Sequence, residues 1–195
     1  MIVMQYANNG SLLSYLSRNI NMLTWKMKLN CLMDIARNLS YIHRKGLVHC
    51  NLHGKNIVLH NGTPFICDLG SSRSMKLREP NSNIRGDIPF IAPEVFHTRK
   101  FTQKSDVYSF GIIMYLMATG EPPFRNRKFD ASLIRNIMDG LRPQLPASTP
   151  EEYRKLAKRC WDPDPDKRPE NGKRLFHYIY KLIKEMDRWN VVYHK

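Results

Sequence analysis

The chain has 195 residues, enough for one domain that buries roughly 70% of its unfolded surface. Hydrophobic residues at 42% and charged residues at 25% exclude a globally disordered chain. The net charge of +14 is spread over the whole length without an arginine-rich run, so it is read as a solvated surface, with nucleic-acid or acidic-partner binding as the alternative.

In chain order, Met1 to Tyr6 read as an extended apolar strand, broken by Asn8-Asn9-Gly10-Ser11. Leu12, Leu13 and Leu16 begin a short helix. Thr24 is a good N-cap for a long helix in which Met27, Cys31, Ile35, Leu39 and Ile42 recur at helical spacing, with Gly46 just past its end. Ile57 to Leu59 and Phe65 to Cys67 are short strands around His60-Asn61-Gly62-Thr63, and Asn-Gly is a strong hairpin signal. Ser71 to Asp87 is polar and non-periodic and predicts a mobile loop.

From Asp106 to Thr119 the chain is apolar nearly all round, as a buried helix must be. Asp130 caps a helix running through Met138. Thr149-Pro150-Glu151-Glu152 combines a capping box with proline at N1. The last helix is predicted from about Pro169 through Met186. The outcome is a mainly α (α+β) domain, a helical bundle with a small β-hairpin and one N-terminal strand.

No apolar run approaches the ~18 residues of a transmembrane helix, and the N-terminus lacks the basic region of a signal peptide. Cys31, Cys50, Cys67 and Cys160 show no C-x-x-C pairing, which suits reduced thiols in a cytoplasmic protein, or equally a nuclear one. No membrane association is expected.

The segment His49-Cys50-Asn51-Leu52-His53-Gly54-Lys55-Asn56 has the frame H-R-D-L-x-x-x-N; Asp68-Leu69-Gly70 is near D-F-G, and Ala92-Pro93-Glu94 matches A-P-E. With Asp106-Val107-Tyr108-Ser109-Phe110-Gly111, and Cys160-Trp161-Asp162-Pro163 ahead of Arg168-Pro169, the chain resembles the C-terminal lobe of eukaryotic protein kinases of the tyrosine-kinase-like branch. The resemblance implies a kinase-like C-lobe over residues 1–195, preceded by the hinge. It places Met4 at the gatekeeper position, gives Gln5 and Ala7 backbone contacts to adenine, and sets Val58 under the base. Asn56 and Asp68 match the residues that hold Mg²⁺ beside ATP, with oxygen ligands suited to a hard cation. Asp106 would brace the catalytic loop around His49, and Arg168 would pair with Glu94.

The departures matter as much. Asn51 occupies the catalytic-base position, and a carboxamide cannot accept a proton as a carboxylate does. Cys50 replaces the arginine that clamps a phosphorylated activation loop; it is read as a small buried residue, with a reactive thiol as the alternative. Asp87 is read as a loop aspartate, with partial substitution for the missing carboxylate as the alternative. No glycine-rich loop or V-A-I-K lysine precedes the hinge, so the N-lobe is expected to be lacking. The expectation is therefore a truncated pseudokinase with a signalling or scaffolding role and a protein partner. The alternative is an active protein kinase once joined to an N-lobe. Met4, Leu12, Val58 and Leu69 are expected to form an exposed apolar patch, a surface for a partner or an oligomer.

Overall fold

The computed structural model describes residues 7–75 and 86–193, with side chains through 186. Seven helices and two small antiparallel ladders appear among the described residues. The strand expected over the first six residues lies outside them, and with it Met4 and Gln5.

Ser11 caps α1 (Leu12–Asn19), its hydroxyl accepting from the Ser14 N–H. Thr24 does the same for α2 (Trp25–Arg44) through Met27, and Gly46 follows with φ 69°. The buried stripe of α2 is rotated from the expected one. Leu29, Leu32, Ile35, Ala36, Leu39 and His43 face inward, whereas Met27 is 49% exposed and Ile42 half-buried. Packing of α2 along the last helix and the hairpin sets this face, and propensity alone cannot.

The second strand of the hairpin starts two residues and ends one residue earlier than expected, with β2 (Ile57–His60) against β3 (Thr63–Ile66) and His60 paired to Thr63. Part of the expected mobile loop is ordered: β4 (Arg73–Ser74) pairs with β1 (Leu47–Val48) ahead of the catalytic loop. Two bonded residue pairs carry no hydrophobic period, so this ladder left no trace in the sequence.

A short helix α3 (Pro93–Thr98) precedes α4 (Gln103–Thr119), the central buried helix. Its start lies upstream of Asp106, at a reciprocal box in which Thr102 and Ser105 cap each other's backbone N–H. Gly120, at φ 73°, closes it. Gly111 lets α4 approach α6 (Glu151–Cys160), since a Cβ there would lie 2.8 Å from the Cys160 Cβ.

Between them, Asp130 caps α5 (Ala131–Met138), accepting from Ser132 and Leu133. The capping box expected at Thr149 does not form. Pro150 is the N-cap residue of α6, no side chain caps it, and Thr149 is buried. The final helix α7 (Gly172–Tyr193) starts later than expected because Asn171, rather than the Pro169 region, accepts from its first N–H groups. The core is continuous, from Leu12 and Leu16 through Leu32, Ile35 and Leu39 to Phe110, Ile112, Ile113 and Leu175.

Candidate active site

The site is built outward from Asp106, a carboxylate 1% exposed in the first turn of an otherwise apolar helix. A buried carboxylate is tolerable only when hydrogen-bonded. Asp106 Oδ2 accepts from the backbone N–H of His49 at 2.8 Å and from His43 Nε2 at 2.9 Å; Oδ1 accepts from the Cys50 N–H at 3.1 Å. His43 Nδ1 accepts from the Gly172 N–H at 3.0 Å, which leaves the ring proton on Nε2, facing Asp106. One carboxylate thereby ties α2, the catalytic loop, α4 and the start of α7 together. Sequence reasoning missed His43; the available signal was a titratable residue continuing the Ile35, Leu39 stripe at helical spacing.

Pulling two consecutive N–H groups onto one carboxylate bends the loop, and Cys50 sits at φ 68°, in the left-handed region. Its thiol donates to the Val48 carbonyl at 3.4 Å. Burial, reinforced by the Asp106 charge, pushes the thiol up to about 12, the environment of an inert structural cysteine. His49 is fully buried; it accepts the Asn51 N–H at Nδ1 (3.2 Å), so its Nε2–H donates to the Cys67 carbonyl at 3.0 Å. The catalytic loop is thus latched to the residue preceding Asp68.

On the solvent side, Asn51, Asn56 and Asp68 converge. Asp68 Oδ2 accepts from Asn51 Nδ2 and from Asn56 Nδ2, each at 3.2 Å, and Asn56 Nδ2 also donates to the Asn51 carbonyl at 3.0 Å. Asp68 has φ 60°, ψ 55°, a left-handed conformation that aspartate tolerates better than most residues. Among the described residues Asn51 Oδ1 is buried without a hydrogen-bond partner, beside Gly86, where a Cβ would lie 3.0 Å from it. Across a small cavity shared with Asn51, Asp87 Oδ2 pairs with Lys55 Nζ at 3.0 Å. Burial lowers the pKa of His53 in the same wall, partly opposed by the charge of Asp87.

The donor set suits a hard divalent cation: the Asp68 carboxylate stands beside Asn56, whose amide nitrogen is spent on protein acceptors and whose oxygen remains as a ligand atom. Among the described residues no three His, Cys, Asp or Glu gather as an all-protein metal cage. A cation here would need water and phosphate oxygens to complete its shell, as Mg²⁺ ordinarily does.

Toward the expected adenine side, Asn9 N–H donates to the Leu59 carbonyl, Leu59 N–H to the Gly10 carbonyl, and Ser11 bridges Val58. This pairing brings the segment after Ala7 against β2, with Ala7 and Val58 both half-buried and the Ala7 carbonyl accepting from Gly10. The apolar patch is smaller than expected. Leu12 is fully buried, because the first residue of α1 turns into the core; Leu69 is 52% exposed and Val58 only partly so.

Arg168 forms a fork onto Glu94, Nη1 to Oε1 at 2.7 Å and Nη2 to Oε2 at 2.8 Å. Its other three N–H groups reach the carbonyls of Asp162, Lys104 and Pro163, and Tyr108 lies under the guanidinium at 5.2 Å. All five donors of a fully buried guanidinium are therefore used.

A helical lobe with this loop, this braced aspartate and this fork defines a kinase-like domain. Residues 1–176 match the family model for protein tyrosine and serine/threonine kinases, and the chain belongs to that family. It is 35% identical, over 86% of its length, to a putative serine/threonine-protein kinase/receptor of Acanthamoeba polyphaga mimivirus, of which it covers 10%. It is 33% identical over 87% of its length to the serine/threonine-protein kinase VIK of Arabidopsis thaliana, covering 41% of that protein. To a serine/threonine/tyrosine-protein kinase of the same plant it is 32% identical over 95%, covering 47%. The chain thus spans less than half the length of each of these relatives. The family uses ATP and Mg²⁺ to transfer phosphate to protein hydroxyls. Among the described residues no helix is long and apolar enough to cross a membrane.

Proposed function

We propose that this chain is a pseudokinase module of the tyrosine-kinase-like branch, which keeps the architecture of the phosphoryl-transfer site and serves in signalling as a scaffold for a protein partner. One observation carries the reading: the catalytic loop is fully braced by Asp106, yet it presents an amide at Asn51 where the base belongs. Loss of a general base alone is worth ~10²–10⁴ in rate. Asn56 and Asp68 are the residues that would hold Mg²⁺, which when bound neutralises the charge of nucleotide phosphates. Val58 and the backbone near Ala7 would receive the base. The exposed Leu69 is the apolar point we assign to a partner or to a second copy.

Incubating the chain with Mg²⁺, labelled ATP and a mixed panel of serine-, threonine- and tyrosine-containing peptides is expected to give no transfer. Labelling that disappears with Asp68→Ala would overturn the proposal. It would favour the second reading, an active kinase as part of a longer protein, which the preserved Asn56 and Asp68 support.

A further inference from the structure

The arrangement around Asp68 has a consequence for the metal. In a loop carrying aspartate at position 51, two carboxylates would face each other where Asn51 Nδ2 and Asp68 Oδ2 now stand 3.2 Å apart. Like charges that close repel, and a divalent cation held by Asn56 and Asp68 would offset that repulsion. Here the amide reverses the interaction from repulsion to a charge-assisted hydrogen bond, and Asn56 adds a second to the same oxygen.

The orientation of Asn51 is fixed by that bond. Its nitrogen is on Asp68 and its oxygen is buried beside Gly86 without a partner among the described residues, a cost that the nitrogen's contact compensates. Turning the amide over would set its oxygen against the carboxylate. The backbone on both sides is latched as well: His49 Nε2 holds the Cys67 carbonyl, and the Cys67 N–H donates to Asn56 at 2.9 Å.

We infer that Asn51 is a positioning residue that stands in for the divalent cation, its amide holding the Asp68 carboxylate on the catalytic loop so that the 68–70 segment is docked without metal. This rests on reading Asn56 and Asp68 as the metal position, but not on whether the chain transfers phosphate. The catalytic-loop face is then one constant surface, the same with or without divalent cation, as a scaffold requires and a metal-switched enzyme does not.

The test is thermal unfolding of the full chain at pH 7.5, in EDTA and in millimolar Mg²⁺, across four proteins. The parent is expected to melt at the same temperature in both buffers. Asn51→Asp should melt about 2–4 °C lower in EDTA, for a loss on the scale of one buried contact, and recover in Mg²⁺. Asn51→Ala, which removes the amide without adding charge, should fall less and gain nothing from Mg²⁺. The double variant Asn51→Asp with Asp68→Asn exchanges the two groups and should return the EDTA midpoint to that of the parent.

A packing role for Asn51 would not be rescued by that exchange. If Asn51→Asp fails to fold while the exchanged protein folds, the inference stands. If the single variant is unaffected in EDTA, if it shows no response to Mg²⁺, or if the exchange does not restore it, the inference is overturned. Phosphate transfer by the parent would sink the pseudokinase reading and leave these midpoints unchanged, so the two failures are distinguishable.

Discussion

The two sides of the catalytic loop are built on different terms. Its buried side converges on Asp106, where three donors, one from α2 and two from the loop itself, meet one carboxylate. Its solvent side converges on Asp68, where two amides share one oxygen and the Asn51 side-chain Oδ1 is left without a partner among the described residues. The first is the economy of a folding core, in which any missing member strands the others in low dielectric. The second has room for change, because partial exposure lets water replace a lost partner. A loop can therefore lose its catalytic base and keep its shape.

Breaking the buried side should have the largest effect. Asp106→Ala strands the N–H groups of His49 and Cys50 and the His43 ring proton, and is expected to cost roughly 3–5 kcal/mol in urea unfolding. A loss under about 1 kcal/mol would mean that the hub is ornamental to stability. Arg168→Ala should follow at about 2–3 kcal/mol, less because Glu94 retains 20% exposure and water can reach it. The same unfolding curves, compared with a Glu94→Gln, Arg168→Ala double variant, would reveal whether the stranded carboxylate is the cause.

Next comes Gly172→Ala, which reaches the hub through α7. Its Cβ would lie 2.5 Å from the Ser40 nitrogen and 2.8 Å from the Leu39 carbonyl carbon, both backbone atoms of α2 that cannot step aside. A cost of about 1–3 kcal/mol is expected, together with faster exchange of the Gly172 amide proton. On the solvent side, Asn56→Ala should cost only about 1 kcal/mol, the net worth of an ordinary hydrogen bond; a loss as large as that of Asp106→Ala would erase the contrast between the two sides.

The smallest effect is chemical. With its thiol pushed up to about 12, Cys50 is thiolate to roughly one part in 10⁴ at pH 8. The raised value means that the neutral form persists until the pH climbs toward 12, so alkylation by iodoacetamide should be far slower in the folded chain than in urea. Rapid native labelling of Cys50, located by peptide mass, would show that the buried side opens.

Much of the fold was legible because its signals are local. Thr24 and Asp130 cap helices where they were expected to, and Asn61-Gly62 turns the hairpin, since a side-chain oxygen or a permissive φ acts within a few residues. The failures share a different cause. Of the stripe expected for α2, Met27, Cys31, Ile35, Leu39 and Ile42, only Ile35 and Leu39 are fully buried, because either helical face has enough apolar residues and the choice fell to α7 and the hairpin. Leu12 is expected on the apolar surface that faces the other lobe or nucleotide in a complete kinase, yet it is wholly buried. Thr149 had the spelling of a cap but was taken into the packing.

The candidate site divides in the same way. By itself the sequence determined the chemistry available: an amide at 51, an amide and a carboxylate at 56 and 68, a thiol at 50, and the ordered motifs that carry the kinase resemblance. Those are properties of residue identity and order, and no folding is needed to read them. Only the tertiary structure decided which group each would meet. It put His43, unmarked in the sequence, on Asp106, and turned the nitrogen of Asn51 toward Asp68 and its oxygen toward Gly86. Partners such as these lie far apart along the chain, and only burial in a shared core brings them within hydrogen-bonding distance.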